Sequence, residues 1–134
     1  MAVWSGLGVN YKGDITHAPQ DAAYLYGLGI NKVRIHIPND GDTSFRAVAA
    51  HFKAQGFYTI YGITAGSTLT AANWNTYATS VIDEATYCEA NAICDQFQIG
   101  NELHYKVDGS TLTTTTLRSN LRTLATSVKA VFSG

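Results

Sequence analysis

Apolar residues along this chain recur at two spacings that take turns four times. Residues 3–9 read as a first buried strand, with Gly6 and Gly8 allowing close packing and Asn10 at its exit. A loop over 11–19 leads to a short helix over 20–26. There Ala22, Leu25 and Tyr26 keep helical spacing, and Gly27 and Gly29 stop it. Residues 32–37 alternate cleanly: Val33, Ile35 and Ile37 point one way, Arg34 and His36 the other. Pro38, Asn39, Asp40 and Gly41 end that strand. The next helix, capped by Asp42 or Thr43, carries Phe45, Val48 and Phe52 on one face and ends before Gly56.

The second half repeats the scheme. Residues 57–63 are aromatic and β-branched, a third strand. A third helix, capped by Thr70, aligns Trp74, Tyr77, Val81, Ala85 and Cys88. The fourth strand covers 96–100. A last helix from about Thr113 stacks Leu117, Leu121, Leu124, Val128 and Val131. Strand and helix alternate four times at about 30 residues per unit, which predicts α/β architecture with parallel strands and right-handed crossovers. The whole chain, 1–134, is one domain, a (βα)4 half-barrel: half of an eight-stranded TIM-like barrel, which typically takes about 250 residues. An open, doubly wound four-stranded sheet is the rival. No GxGxxG or GxxxxGK[ST] loop supports a nucleotide site in either.

Composition narrows the function classes. Charged residues make up 14% and hydrophobic ones 46%, at a formal net charge of -1. That is no footprint for nucleic acid, and no basic cluster suits anionic lipid. No apolar run has the roughly 20 residues of a membrane span. No ligand cluster or phosphate loop implies a metal or organic cofactor. The opening residues carry no signal-peptide pattern, and the compartment stays open. Cys88 and Cys94 are the only cysteines. As a disulfide they would close a loop of about seven residues, worth roughly 2 kcal/mol, and would favour a secreted origin. Two free thiols is the equal alternative.

Chemistry concentrates at strand ends. The parity of the fourth strand puts Phe97 and Ile99 on one face and Gln96, Gln98 and Glu102 on the other. In a barrel, Arg34, His36, Gln98 and Glu102 would line the top of the lumen. A buried polar set costs free energy unless paired, so it marks a site. Ile99–Gly100–Asn101–Glu102 after strand four, with Val33–Arg34–Ile35–His36 on strand two, resembles the clan of retaining glycoside hydrolases built on (β/α)8 barrels, which includes cellulase-like and mannanase-like enzymes. The resemblance covers the whole chain as that family's N-terminal half. It implies Glu102 as general acid/base, Asn101 as a contact to the sugar 2-hydroxyl and Arg34 as support for the catalytic carboxylates.

Each assignment has a simpler alternative: Glu102 as a surface carboxylate, Arg34 as its structural ion-pair partner. His36, His104 and Tyr105 are candidate substrate contacts, the two histidines as hydrogen-bonders of the lumen or rim. Tyr11 and Trp74 are further stacking candidates, although the helical spacing of Trp74 favours the core. Asp14 and Asp40 read as turn formers.

The family's nucleophile, a second glutamate after strand seven, has no counterpart here, and retaining hydrolysis needs two carboxyls about 5–5.5 Å apart. The expected activity is oligosaccharide binding with weak or no hydrolysis. The alternatives are a non-enzymatic assembly module or a fragment of a longer glycosidase. Exposed sheet edges predict a homodimer that closes the barrel. This reading expects Glu102 to be buried near Arg34.

Overall fold

A computed structural model describes residues 6–38 and 42–134. The strands are β1 (Leu7–Tyr11), β2 (Ile30–Pro38), β3 (Tyr58–Thr64) and β4 (Gln96–Gln98). They alternate with α1 (Ala18–Gly27), α2 (Ser44–Ala54), α3 (Trp74–Asn91) and α4 (Thr114–Lys129). A short 3-10 turn, Leu103–Tyr105, precedes α4. All pairings are parallel and the strand order is β1-β2-β3-β4. A doubly wound sheet reverses its order at a switch point. This sheet never reverses, and right-handed crossovers then put every helix on one face. That is the arrangement of a (βα)4 half-barrel.

Strand parity decides what each face carries. Val33, Ile35 and Ile37 pair in register with Thr59, Tyr61 and Ile63, and all six are buried. The helices supply the other side of this core. Val48, Ala49 and Phe52 come from α2, Tyr77, Val81 and Ala85 from α3, and Leu117, Leu124 and Val128 from α4. Fully burying an aliphatic or aromatic side chain contributes about 1.5–3 kcal/mol. Phe52 packs edge-on against both Tyr11 and Phe57. Beneath β3, Arg46 donates Nε and Nη2 to the buried Glu84 carboxylate, which also accepts from Tyr61 Oη. Arg46 lies over the Tyr87 ring at 3.8 Å. The buried charge is thus matched on every side.

Several expectations shift. The first strand starts at Leu7, since residues 3–5 lie outside the described residues, and it is largely exposed. It is an edge strand of the sheet. Tyr26 is 67% exposed because α1 turns it outward, and its ring meets Phe57 edge-on. Thr70 does not cap α3. It exchanges hydrogen bonds with Asn73, the residue at the cap position, in the preceding turn. Thr43 holds the α2 cap position without a side-chain bond, while Asp42 accepts from Ser44 N. Thr113 does cap α4, accepting from Thr116 N. Asn39, Asp40 and Gly41 lie outside the described residues.

Cys88 and Cys94 are free thiols and fully buried. The bond to Cys94, then burial, pushes the Cys88 thiol up, away from the thiolate that exchange chemistry requires. Among the described residues no helix is long and apolar enough to cross a membrane.

Candidate functional site

The uncovered face of the sheet carries the polar residues. Asn10, Arg34, Ile60 and Gln96 lie in register across the four strands, and His36, Gly62 and Gln98 form the next row toward the strand ends. Gln98 is the hub. Its Nε2 donates to Gly100 O at 2.8 Å, which fixes the amide so that Oε1 faces β2. That oxygen accepts from Arg34 Nε at 2.9 Å and meets His36 Nε2 at 2.8 Å. Gly62 makes this possible. A Cβ there would sit 2.7 Å from both Gln98 Cβ and Gln98 O, so any side chain would push β4 away.

Beyond Gln98, Tyr77 Oη donates to Ile99 O at 2.7 Å and ties the β4 exit to α3. Gly100 lets the chain pass under Leu103, whose Cδ1 would stand 2.5 Å from an added Cβ. Asn101 then turns toward β2, and its Oδ1 accepts from Arg34 Nη2 at 2.8 Å. Thr64 Oγ1 holds the Asn101 carbonyl at 3.3 Å. The structure therefore brings Arg34, His36 and Asn101 together through Gln98, a residue whose parity was legible but whose linking role was not. The Asn101 amide nitrogen and three of the five Arg34 N–H donors keep no partner among the described residues.

His36 is half-buried, and its pKa is lowered from the usual 6.5. Burial is the largest cause. Repulsion from Arg34 and Lys12 adds to it, and the bond to Gln98 opposes it. The ring is therefore neutral at pH 7, and its Nε2 donates to Gln98.

Glu102 departs from expectation. It is exposed, and Arg34 bonds to Gln98 and Asn101 rather than to it. Its backbone is left-handed, φ 50° and ψ 34°, which turns the chain out of the strand into the 3-10 turn. It lines a cleft of about 440 Å³ along the open β4 edge, with Ile99, Leu103, His104, Leu117 and Arg118. The carboxylate thus sits next to the Arg34 network in sequence but outside its hydrogen bonds. β4 is an edge, and among the described residues no further strand flanks Glu102 on that side.

His104 and Tyr105 are exposed and stack on each other with ring centroids 3.8 Å apart. Tyr11 is no stacking platform. It is 8% exposed, donates to Asp21 at 2.7 Å, and belongs to the core. Trp74 is likewise core. Asp14 forms a turn, accepting from Thr16 N and His17 N. Lys12, whose charge reaches His36, was not singled out from sequence because it lies in the loop past the first strand, outside any strand parity.

No family model, curated protein or solved structure matches this chain.

Proposed function

We propose that this chain is a glycosidase-like half-barrel whose strand ends bind an oligosaccharide, with weak or no hydrolysis on its own. One observation carries the reading: a pre-ordered set of donors and acceptors, Arg34–Gln98–His36 and Asn101, on the uncovered face at the carboxyl ends of parallel strands. Ligands bind at that end in barrels and open α/β sheets alike. Fixed donors facing solvent suit sugar hydroxyls, and a ligand that reaches from them into the adjoining cleft at the β4 edge meets the Glu102 carboxylate. With a single carboxylate, the chemistry open to the chain is general-base assistance. Water attacks the anomeric carbon, its proton passes to Glu102, and an activated aryloxide departs.

Two measurements test this. Titration with a panel of neutral oligosaccharides, followed by NMR, should give saturable shifts at Arg34, His36 and Asn101. Absence of saturation across the panel would remove the reading. Activated aryl glycosides should be hydrolysed slowly at most, and Glu102→Gln should abolish whatever rate is found. Undiminished turnover in that variant would take the base role from Glu102.

A second reading, an assembly module, is favoured by the two open edges. Tyr24 on α1 and Leu28 at its C-cap lie four residues apart and are 68% and 54% exposed. Tyr26 meets Phe57, ahead of β3, and Tyr24 and Leu28 lie on a different side of the helix, where a closed barrel would place another helix. The cleft at the β4 edge is apolar in Ile99, Leu103, Leu117 and Leu121. A second copy, joined by a two-fold axis, would bring one apolar edge onto the other. The two readings are compatible, since closure would complete the lumen above the same strand ends.

A further inference from the structure

Among the described residues, the positive charge at the strand ends enters no ion pair. Arg34 is half-buried, yet both its partners are neutral amide oxygens. Among the described residues the ion pairs are His17–Asp14, Arg46–Glu84 and Lys53–Asp95, and neither Arg34 nor Lys12 enters one. The contrast with Arg46 is informative. Arg46, which also donates through Nε and Nη2, gives both bonds to a carboxylate and lies over an aromatic face. Arg34 is held through the same two nitrogens but by neutral amide oxygens, and its other three N–H groups have no partner among the described residues. His36 stands beside it on the same Gln98 oxygen. Among the described residues the charges it feels are the cations Arg34 and Lys12. Glu102 points into a different cleft.

We infer that the uncovered face of the sheet binds an oxyanion, the carboxylate or phosphate group of a sugar ligand, on the free fork of Arg34, with Lys12 completing the charge. The sugar part rests on the carbohydrate reading above, while the oxyanion part rests on the charge arrangement alone. The planar guanidinium matches both groups bidentately and is the side chain best suited to either. Gln98 and Asn101 hold that plane in place. The anion therefore meets a donor set already oriented, and little ordering entropy is lost on binding. Lys12 stands exposed just past β1 and acts through its field rather than through a fixed contact.

The test compares D-glucuronate, D-glucose 6-phosphate, D-glucose and inorganic phosphate on the intact chain, read by NMR at Arg34 Nε–H and the His36 ring. At low salt one or both charged sugars should bind roughly tenfold or more tighter than glucose, as expected for a charge-assisted bidentate contact. The tighter of the two names the anion's source. Arg34→Met should remove that advantage. Lys12→Met, at an exposed position where folding is not at risk, should reduce it by roughly threefold, and raising the salt should do the same.

Charged sugars that bind no better than glucose would overturn the proposal, as would an advantage that persists in folded Arg34→Met. If neutral oligosaccharides bind while charge adds nothing, only the oxyanion proposal falls. If inorganic phosphate shifts Arg34 while no sugar binds, the carbohydrate reading falls and takes the sugar part of the proposal with it.

Discussion

Glu102 and Ala92 are the non-glycine residues found with positive φ among the described residues, both at 50°. For an L-residue that conformation costs about 1–2 kcal/mol. At Ala92 it closes the end of α3 in the usual left-handed cap. At Glu102 it stands next to the Arg34 network, where retained strain points to a use for the side chain. Glycine at either position should therefore stabilise the fold by about 1 kcal/mol in urea denaturation. Only Glu102→Gly should also lose ligand binding or turnover. A stabilised variant with intact function would show that the carboxylate is dispensable.

His36 makes a separate residue-scale prediction. Its folded pKa lies below its unfolded value of 6.5, so the unfolded chain binds more protons as pH falls. The stability tied to the neutral ring is fully present above pH 6.5 and is lost as pH drops from there toward the folded pKa. Denaturation midpoints measured from pH 8 to pH 5 should decline, and His36→Gln should flatten part of that decline. An unchanged slope in the variant would mean that burial does not act on His36 as described.

At the scale of elements, the site depends on how closely β3 and β4 approach. Gly62 has no side chain because Gln98 lies directly across it. Gly62→Ala should force β4 outward, cost about 1–3 kcal/mol as overpacking does, and break the Gln98 contacts to Arg34 and His36. The check is a fall in the denaturation midpoint together with a further lowering of the His36 pKa by NMR, since the Gln98 bond that opposes the depression is lost. If the substitution were tolerated with both unchanged, the close approach would not be what sets the site. β4 is the shortest strand, ending at Gln98 rather than at Gly100. Beyond it the chain is held by Tyr77 instead of by a ladder. Strand pairing needs a neighbour, and on its outer side β4 has none among the described residues.

At the scale of the molecule, the unpaired β1 and β4 edges and the apolar residues beside them predict self-association. Light scattering over a dilution series should report twice the chain mass at micromolar concentration. Tyr24→Lys with Leu28→Lys should return the monomer, since two charges would be buried against the Ile99–Leu121 cleft. A wild-type monomer throughout would mean that the half-barrel stands open and that its strand-end site works without closure.

Much of this was legible in the sequence, for a definite reason. Hydrophobic period is a local property, so Val33, Ile35 and Ile37 against Arg34 and His36, or Leu117, Leu124 and Val128 along α4, announce their elements and their buried faces directly. Four such units in alternation determine a parallel sheet, and the polar parity of Arg34, His36 and Gln98 already marks one face as chemical. Tertiary structure decided what local pattern does not encode, namely which side chains meet across distance. It made Gln98 the hub, gave Arg34 two amide partners in place of a carboxylate, and took Tyr11 into the core beside Phe52 and Asp21. It also left Glu102 exposed, because that position follows an edge strand, and an edge is a property of the assembled sheet rather than of any segment in it.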